Sequence, residues 1–277
     1  MGLADVFFQL HLPFDSAEAN QISARIQEEI YYHALSASNG LARECGPHPG
    51  FDLTRAAAGE LQFDLWGVRP SEPARFESLR QKIREHGLRN SLMIAIAPTA
   101  TIASICGCYE CIEPQISNLF TRETLSGDFL QVNNYLVDDL KERGFWNESI
   151  RNRIKKEEGS IESIEEIPAD LRAIYQTAWE LPQRALIDMA AARGPFIDQS
   201  QSLNLFMSTP NIGKLSSMYM YAWEQGIKTT YYLRSRPATR IRQTTLNDSA
   251  RAEQDNSTDQ AAVACSLENP EACEACQ

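Results

Sequence analysis

The stretch Ser91-Leu92-Met93-Ile94-Ala95-Ile96-Ala97-Pro98-Thr99-Ala100-Thr101-Ile102-Ala103 decides how this chain is organised. Ser91–Ile96 is a short apolar run with the length of a buried strand. Pro98, with the hydroxyls of Thr99 and Thr101, then opens a helix. A strand that hands directly to a helix is a βα unit. The same alternation recurs outward from it. Upstream, Ser16–Leu35 reads as a helix starting at Asp15-Ser16, with Ile22, Ile26 and Ile30 on one face and Glu28 and Glu29 on the other. Gly46–Gly50, with Pro47 and Pro49, reads as a loop, and Ser71–His86 as a charged helix closed by Gly87. Downstream, Leu119–Thr121 reads as a strand and Ser126–Arg143 as a helix ended by Gly144. Pro168–Arg193 reads as one long helix stopped by Gly194-Pro195. Leu203–Met207 is a strand, Ile212–Gln225 a helix, and the β-branched and aromatic Lys228–Leu233 a strand again. Short apolar strands between longer helices predict an α/β fold around a mostly parallel sheet or barrel.

The chain has 277 residues, 43% of them apolar, enough for a sizeable core. Its formal net charge of −11 repels a phosphate backbone and argues against a nucleic-acid surface. Arg234, Arg236, Arg240 and Arg242 are a local exception and read as a solvated or intra-protein pairing face. The first basic residue is Arg25, so no charged leader opens the chain, and Pro98 with its neighbouring hydroxyls breaks the longest apolar run. The expectation is a soluble, cytoplasmic chain with no membrane span. Met1–Asp5 runs straight into a patterned segment, as the interior of a longer protein would. Seven cysteines, an odd number, argue against a disulfide framework.

Composition changes near the end. Thr244–Gln277 holds no Phe, Trp, Tyr, Ile or Met, and seven acids face the single base Arg251. Such a segment buries too little apolar surface to offset its ordering entropy. The division expected is therefore 1–243 folded and 244–277 a flexible tail, ending in Cys273-Glu274-Ala275-Cys276.

Three places could carry chemistry. Pro98–Ile102, at a helix start, presents backbone N–H groups to an anion, although Thr99 and Thr101 could simply cap the helix. Tyr231-Tyr232 could stack and pass electrons only if the strand's alternation breaks, since neighbours in a regular strand face opposite ways. Cys273 and Cys276 could close a small disulfide, or join Cys106, Cys108 and Cys111 in a zinc site. A dithiol on a tether of about 30 residues has an r.m.s. reach of roughly 30 Å, which suits exchange with a distant disulfide.

In order and wording, several segments resemble the large, catalytic subunit of class I ribonucleotide reductases. They are Gly2–Asp5, Pro13–Ser16, Ala97–Ala103, Glu113-Pro114, Ser117–Arg122, Leu125–Phe129, Asp198–Asn204 and Lys228–Tyr232, together with the terminal cysteine pair. The resemblance implies the C-terminal half of a ten-stranded α/β barrel followed by a flexible tail. It implies reduction of ribonucleoside diphosphates to 2′-deoxyribonucleotides by radical chemistry. Pro98, Thr99, Ala100, Thr101 and Ile102 would hold the substrate diphosphate, with Ile102 standing where relatives often carry a hydroxyl. Tyr231 and Tyr232 would relay a radical from the small subunit. Cys273 and Cys276 would re-reduce the active-site disulfide and be reduced in turn by thioredoxin or glutaredoxin. No metal or cofactor would be bound by this chain; the metal-radical cofactor is expected in the small subunit. The family's radical cysteine, in an Asn-x-Cys-x-Glu setting, has no counterpart here, so a complementary N-terminal part would have to supply it. Two alternatives remain: a non-catalytic remnant that binds the small subunit or a nucleotide, and a zinc protein built on the cysteine clusters.

Overall fold

A computed structural model describes residues 1–124, 127–209 and 211–236, with side chains 121–130 excepted. The expected tail, 244–277, with Cys273 and Cys276, lies outside the described residues, as do Arg240 and Arg242.

Helix α1 (Leu3–Gln9) leads into α2 (Ala17–Cys45), which starts where Ser16 Oγ accepts the Ala19 N–H at 3.1 Å. The helix runs ten residues past the expected Leu35, and it turns a different face inward. Ala19, Ser23, Gln27, Tyr31 and Leu35 are buried, whereas Ile26 and Ile30 are exposed. Polar contacts explain the inversion. Ser23 Oγ accepts from Arg193 at 3.0 Å, Gln27 donates to the Phe196 carbonyl at 3.3 Å, and Glu28 accepts both the backbone and the hydroxyl of Ser71 at 2.8 Å. Helices α3 (Gln62–Leu65) and α4 (Pro73–His86) then pack Phe63, Phe76, Leu79 and Ile83 against Tyr31 and Leu35.

Ser91–Ile96 is not the buried strand expected. It is an extended, partly exposed segment whose one ladder contact is a parallel bridge from Ile96 to Gln201. It is bonded along that side: Ile96 N–H donates to Ser200, Ser202 N–H to Ile96 and Gln199 N–H to Ile94, at 2.9–3.1 Å. The short helix α5 (Ala100–Cys106) follows.

The expected strand at Leu119 is β1 (Leu119–Thr124), but it pairs antiparallel with β2 (Gly127–Val132), in register from Leu119↔Val132 to Thr124↔Gly127. The helix expected from Ser126 is therefore mostly strand at its start. Its helical part, α6 (Asn134–Glu142), begins only after Asn133, whose side-chain oxygen caps the Tyr135 and Leu136 amides. Helix α7 (Glu148–Lys156) and the single long helix expected at Pro168–Arg193 follow; the latter is two helices, α8 (Ala169–Ile174) and α9 (Gln183–Arg193). Pro182 stands at the N-cap of α9, because proline has no N–H to continue a preceding helix. Ile150, Ile154, Ile161, Ile164, Ile167 and Leu171 join Leu136, Leu140 and Phe8 in one core, where Phe8 stacks on Tyr175 at 5.0 Å.

Strand β3 (Leu205–Met207), helix α10 (Ile212–Glu224) and strand β4 (Leu233–Ser235) complete a β–α–β unit, with β3 and β4 parallel. Both strands are shorter than expected. Among the described residues there are four strands in two two-stranded sheets, and no closed barrel. Lys228 sits beneath this unit, its Nζ donating to the carbonyls of Ile197, Asp198 and Gln199 at 2.8, 3.2 and 2.9 Å. No helix among the described residues is long and apolar enough to cross a membrane.

Candidate active site

The loop Pro98–Ile102 is positioned from one side by Cys111. The Cys111 thiol donates to the Pro98 carbonyl at 2.6 Å, and the Cys111 N–H donates to Thr99 Oγ1 at 3.1 Å. Thr99 is the N-cap residue of α5, in left-handed backbone with φ 55°, yet its side chain does not cap the helix; it serves Cys111 instead. A hydroxyl that accepts one bond still has a proton to donate. Thr101 and Ile102 are exposed, and the opening turn of a helix leaves backbone N–H groups without intrahelical partners. A cleft of about 730 Å³ lies alongside, lined in part by Asp5, Ala100, Ala103, Ser104, Tyr109 and Asn133.

Burial pushes the Cys111 thiol up to about 12, so it stays a neutral donor. Cys106 is exposed and Cys108 half-buried. Among the described residues no three His, Cys, Asp or Glu side chains come together to hold a metal ion. The three thiols therefore do not converge by themselves; the zinc site expected also calls on Cys273 and Cys276, which lie outside the described residues.

Tyr231 and Tyr232 precede β4. Their backbone is held just before and at the start of β3: Tyr231 N–H donates to the Leu203 carbonyl and Leu205 N–H to the Tyr232 carbonyl, both at 2.8 Å. The rings do not point to opposite faces. Their centroids are 4.2 Å apart with the planes at 58°, so the alternation is broken at this pair. Both rings are about half exposed, 54% and 51%. The adjoining Tyr232 hydroxyl pushes the Tyr231 phenol above its ordinary value. The Arg234 guanidinium lies 5.6 Å from the Tyr232 ring centre, which makes one member of the arginine cluster an intra-protein contact.

Sequence reading missed Glu113 as a structural centre. It is buried beneath both places, and its carboxylate accepts the Asn204 N–H at 2.6 Å and Asn204 Nδ2 at 2.8 Å. Burial outweighs these bonds and raises Glu113 to about 7. Arg193, fully enclosed, is lowered to about 10 by the same loss of solvent. Its one sequence signal was Glu113-Pro114 as a segment of the family resemblance, which gave the acid no role.

The family model for the ribonucleotide reductase barrel domain matches residues 1–233. The chain is 46% identical over 289 residues to the ribonucleoside-diphosphate reductase large subunit of Arabidopsis thaliana, covering 99% of this chain and 35% of that protein. Against the large subunit of Caenorhabditis elegans identity is 47% over 250 residues, covering 90% of this chain and 32% of the relative. Against that of vaccinia virus it is 49% over 247 residues, covering 89% and 32%. The solved class Id ribonucleotide reductase alpha subunit of Actinobacillus ureae superposes with a TM-score of 0.65 at 26% identity, covering 85% of this chain and 38% of that one. The chain thus spans about a third of the length of the curated relatives it matches. With the barrel-domain model matched from residue 1 to 233 and large-subunit relatives near half identity, this chain belongs to the ribonucleotide reductase large-subunit family.

Proposed function

We propose that this chain is part of the catalytic subunit of a ribonucleoside-diphosphate reductase and contributes three components of its reaction. Pro98, Thr99, Ala100, Thr101 and Ile102 bind the substrate diphosphate through backbone N–H groups and the threonine hydroxyls. Tyr231 and Tyr232 relay the radical between the small subunit, which carries the metal-radical cofactor, and a radical cysteine on a complementary N-terminal part. Cys273 and Cys276 return reducing equivalents. In balance, the ribose C2′–OH is replaced by C2′–H and leaves as water, while two active-site thiols become a disulfide. The tail dithiol then reduces that disulfide and becomes a disulfide in its place, which thioredoxin or glutaredoxin returns to the dithiol. Joined to the N-terminal part, the β–α–β unit and the Ile94–Ile96 segment would take their places in a ten-stranded barrel.

The observation that carries this reading is the broken alternation at Tyr231-Tyr232, which brings two phenols into ring contact at 4.2 Å on an accessible face. Regular strand alternation would have turned the two rings to opposite sides. The test is reconstitution: this chain, an N-terminal part bearing Asn-x-Cys-x-Glu, the small subunit and thioredoxin, assayed for conversion of cytidine diphosphate to the deoxy form. Turnover that requires this chain supports the reading. Nucleotide or small-subunit binding without turnover would instead leave a binding remnant.

A further inference from the structure

One short segment, Cys111–Glu113, holds both halves of the site. Cys111 ties down Pro98 and Thr99, and two residues later Glu113 grips Asn204 by its N–H and its side-chain amide. Asn204 in turn presents Oδ1 to the Tyr232 N–H at 3.3 Å. Its neighbours Leu203 and Leu205 each make one further backbone bond to the tyrosine pair. We propose that Glu113 is a positioning residue for Tyr231-Tyr232, acting through the side-chain amide of Asn204. The functional weight of that role rests on the reading of the pair as a relay.

The polarity of the chain of bonds makes the device two-state. An ionised carboxylate accepts from both Asn204 nitrogens, which fixes the side-chain amide with its oxygen toward Tyr232. A proton on Oε1 would face the Asn204 backbone N–H, which cannot turn away. The proton therefore goes on Oε2, opposite a side-chain amide that can rotate. Asn204 then turns its oxygen to the carboxyl and its NH₂ to the Tyr232 N–H, donor against donor, and the Tyr232 bond is lost. The charged and titratable groups around Glu113 are Arg193 on α9, Arg234 on β4, and Tyr109, Glu110 and Cys111 on its own segment. Burial opposes the carboxylate, the two Asn204 bonds and then the two arginines favour it, and the balance places the change near neutral pH.

The test uses the full chain labelled with ¹⁵N-tyrosine, which gives at most nine amide signals. Tyr232 is assigned by its disappearance in Tyr232→Phe. Its amide proton shift is followed from about pH 5.5 to about 8.5. The expected result is one transition with a midpoint near 7 in the native chain. Glu113→Gln should be flat and sit at the acid-limb value, because its amide nitrogen donates to Asn204 as the protonated carboxyl does. The Tyr175 amide, in a different core, should be unmoved in both and reports that the fold is intact. A flat Tyr232 signal in the native chain, or a transition persisting in Glu113→Gln, overturns the proposal. Should Glu113→Gln not fold, Asn204→Ala decides: a transition that survives without the Asn204 amide is equally fatal. The measurement reads the backbone at Tyr232 and not turnover, so its failure and the failure of the reductase reading are distinguishable.

Discussion

Asp198 grips the backbone at Ile94: its Oδ1 lies 2.8 Å from the Ile94 nitrogen, while Oδ2 takes the Met93 nitrogen at the same distance. This fork holds the segment that leads into the Pro98 loop against the segment that leads through Asn204 into β3. Hydrogen bonds to a charged partner contribute about 1.5–3 kcal/mol each where they are well formed. Asp198 is partly exposed, so Asp198→Ala should cost roughly 2 kcal/mol in urea unfolding. Asp198→Asn, which can accept only one of the two N–H groups, should fall between it and the native chain.

Among the described residues, Gly159 is the glycine with least room for a side chain. Its φ is +88°, and a Cβ there would lie 1.9 Å from Ser117 Oγ and 2.7 Å from the Leu119 nitrogen. Its carbonyl also receives Asn118 Nδ2 at 3.0 Å. Gly159→Ala should therefore lose about 3 kcal/mol or more by thermal or denaturant unfolding. Adding Ser117→Gly should recover only part of that loss, since the backbone contact at Leu119 and the positive φ remain.

The Tyr175 hydroxyl donates to Asp139 Oδ2 at 2.6 Å inside the core built on α6–α8. Removing it leaves a mostly buried carboxylate with His11, at 3.5 Å, as its other polar contact. Tyr175→Phe should cost about 1.5–3 kcal/mol. The double variant with Asp139→Asn should cost less than the separate losses together, because the neutral amide is cheaper to leave unpaired. A double-mutant cycle measures the difference.

Glu113 should make stability depend on pH in an uncommon direction for a carboxylate. Its folded value is about 7 against an ordinary 4.5, so the folded chain binds more protons than the unfolded chain between those limits. The group's favourable contribution is complete below the unfolded value and is lost as pH rises through about 7. The difference is on the order of 3 kcal/mol. Unfolding free energy should therefore rise from pH 8 toward about pH 5 on this group's account, and Glu113→Gln should flatten that slope while leaving the other carboxylates' slopes in place.

For the relay itself, Tyr231→Phe and Tyr232→Phe in the reconstituted enzyme should each lower turnover by at least about 100-fold, a loss of about 3 kcal/mol of barrier lowering. Nucleotide affinity should be unchanged, since a relay role gives neither phenol a part in holding the diphosphate. A loss of affinity equal to the loss of turnover would place the tyrosines in substrate binding instead.

Much of the architecture could be read from local signals with a single physical cause. Pro73 and Gly87 bound α4 as the first-turn proline and closing glycine require, and Asn211 caps α10. The errors arose where a long-range contact overrode a local pattern. The isoleucines of α2 suggested the wrong inner face because the partners of Ser23, Gln27 and Glu28 lie 43 to 170 residues away. Pro168–Arg193 looked continuous because its apolar spacing runs through Pro182. At the site, the adjacent tyrosines were visible in the sequence, but their ring contact was not, since it depends on backbone bonds to Leu203 and Leu205. Glu113 was quoted only as part of a family wording. Its role needs Asn204, 91 residues on.

Lys228 has a consequence of its own. Its ammonium, partly withdrawn from water and lowered in pKa by that burial, faces three successive carbonyl oxygens as an alkali cation would in a ring of carbonyls. Here the cation is tethered to the chain by four methylenes. It cannot be dialysed away or exchanged for sodium, so the bend that carries Asp198 keeps its shape whatever salt surrounds it. The same tether makes the bend chemically addressable: acylation of one amine would erase the charge and leave three carbonyls turned toward an empty centre.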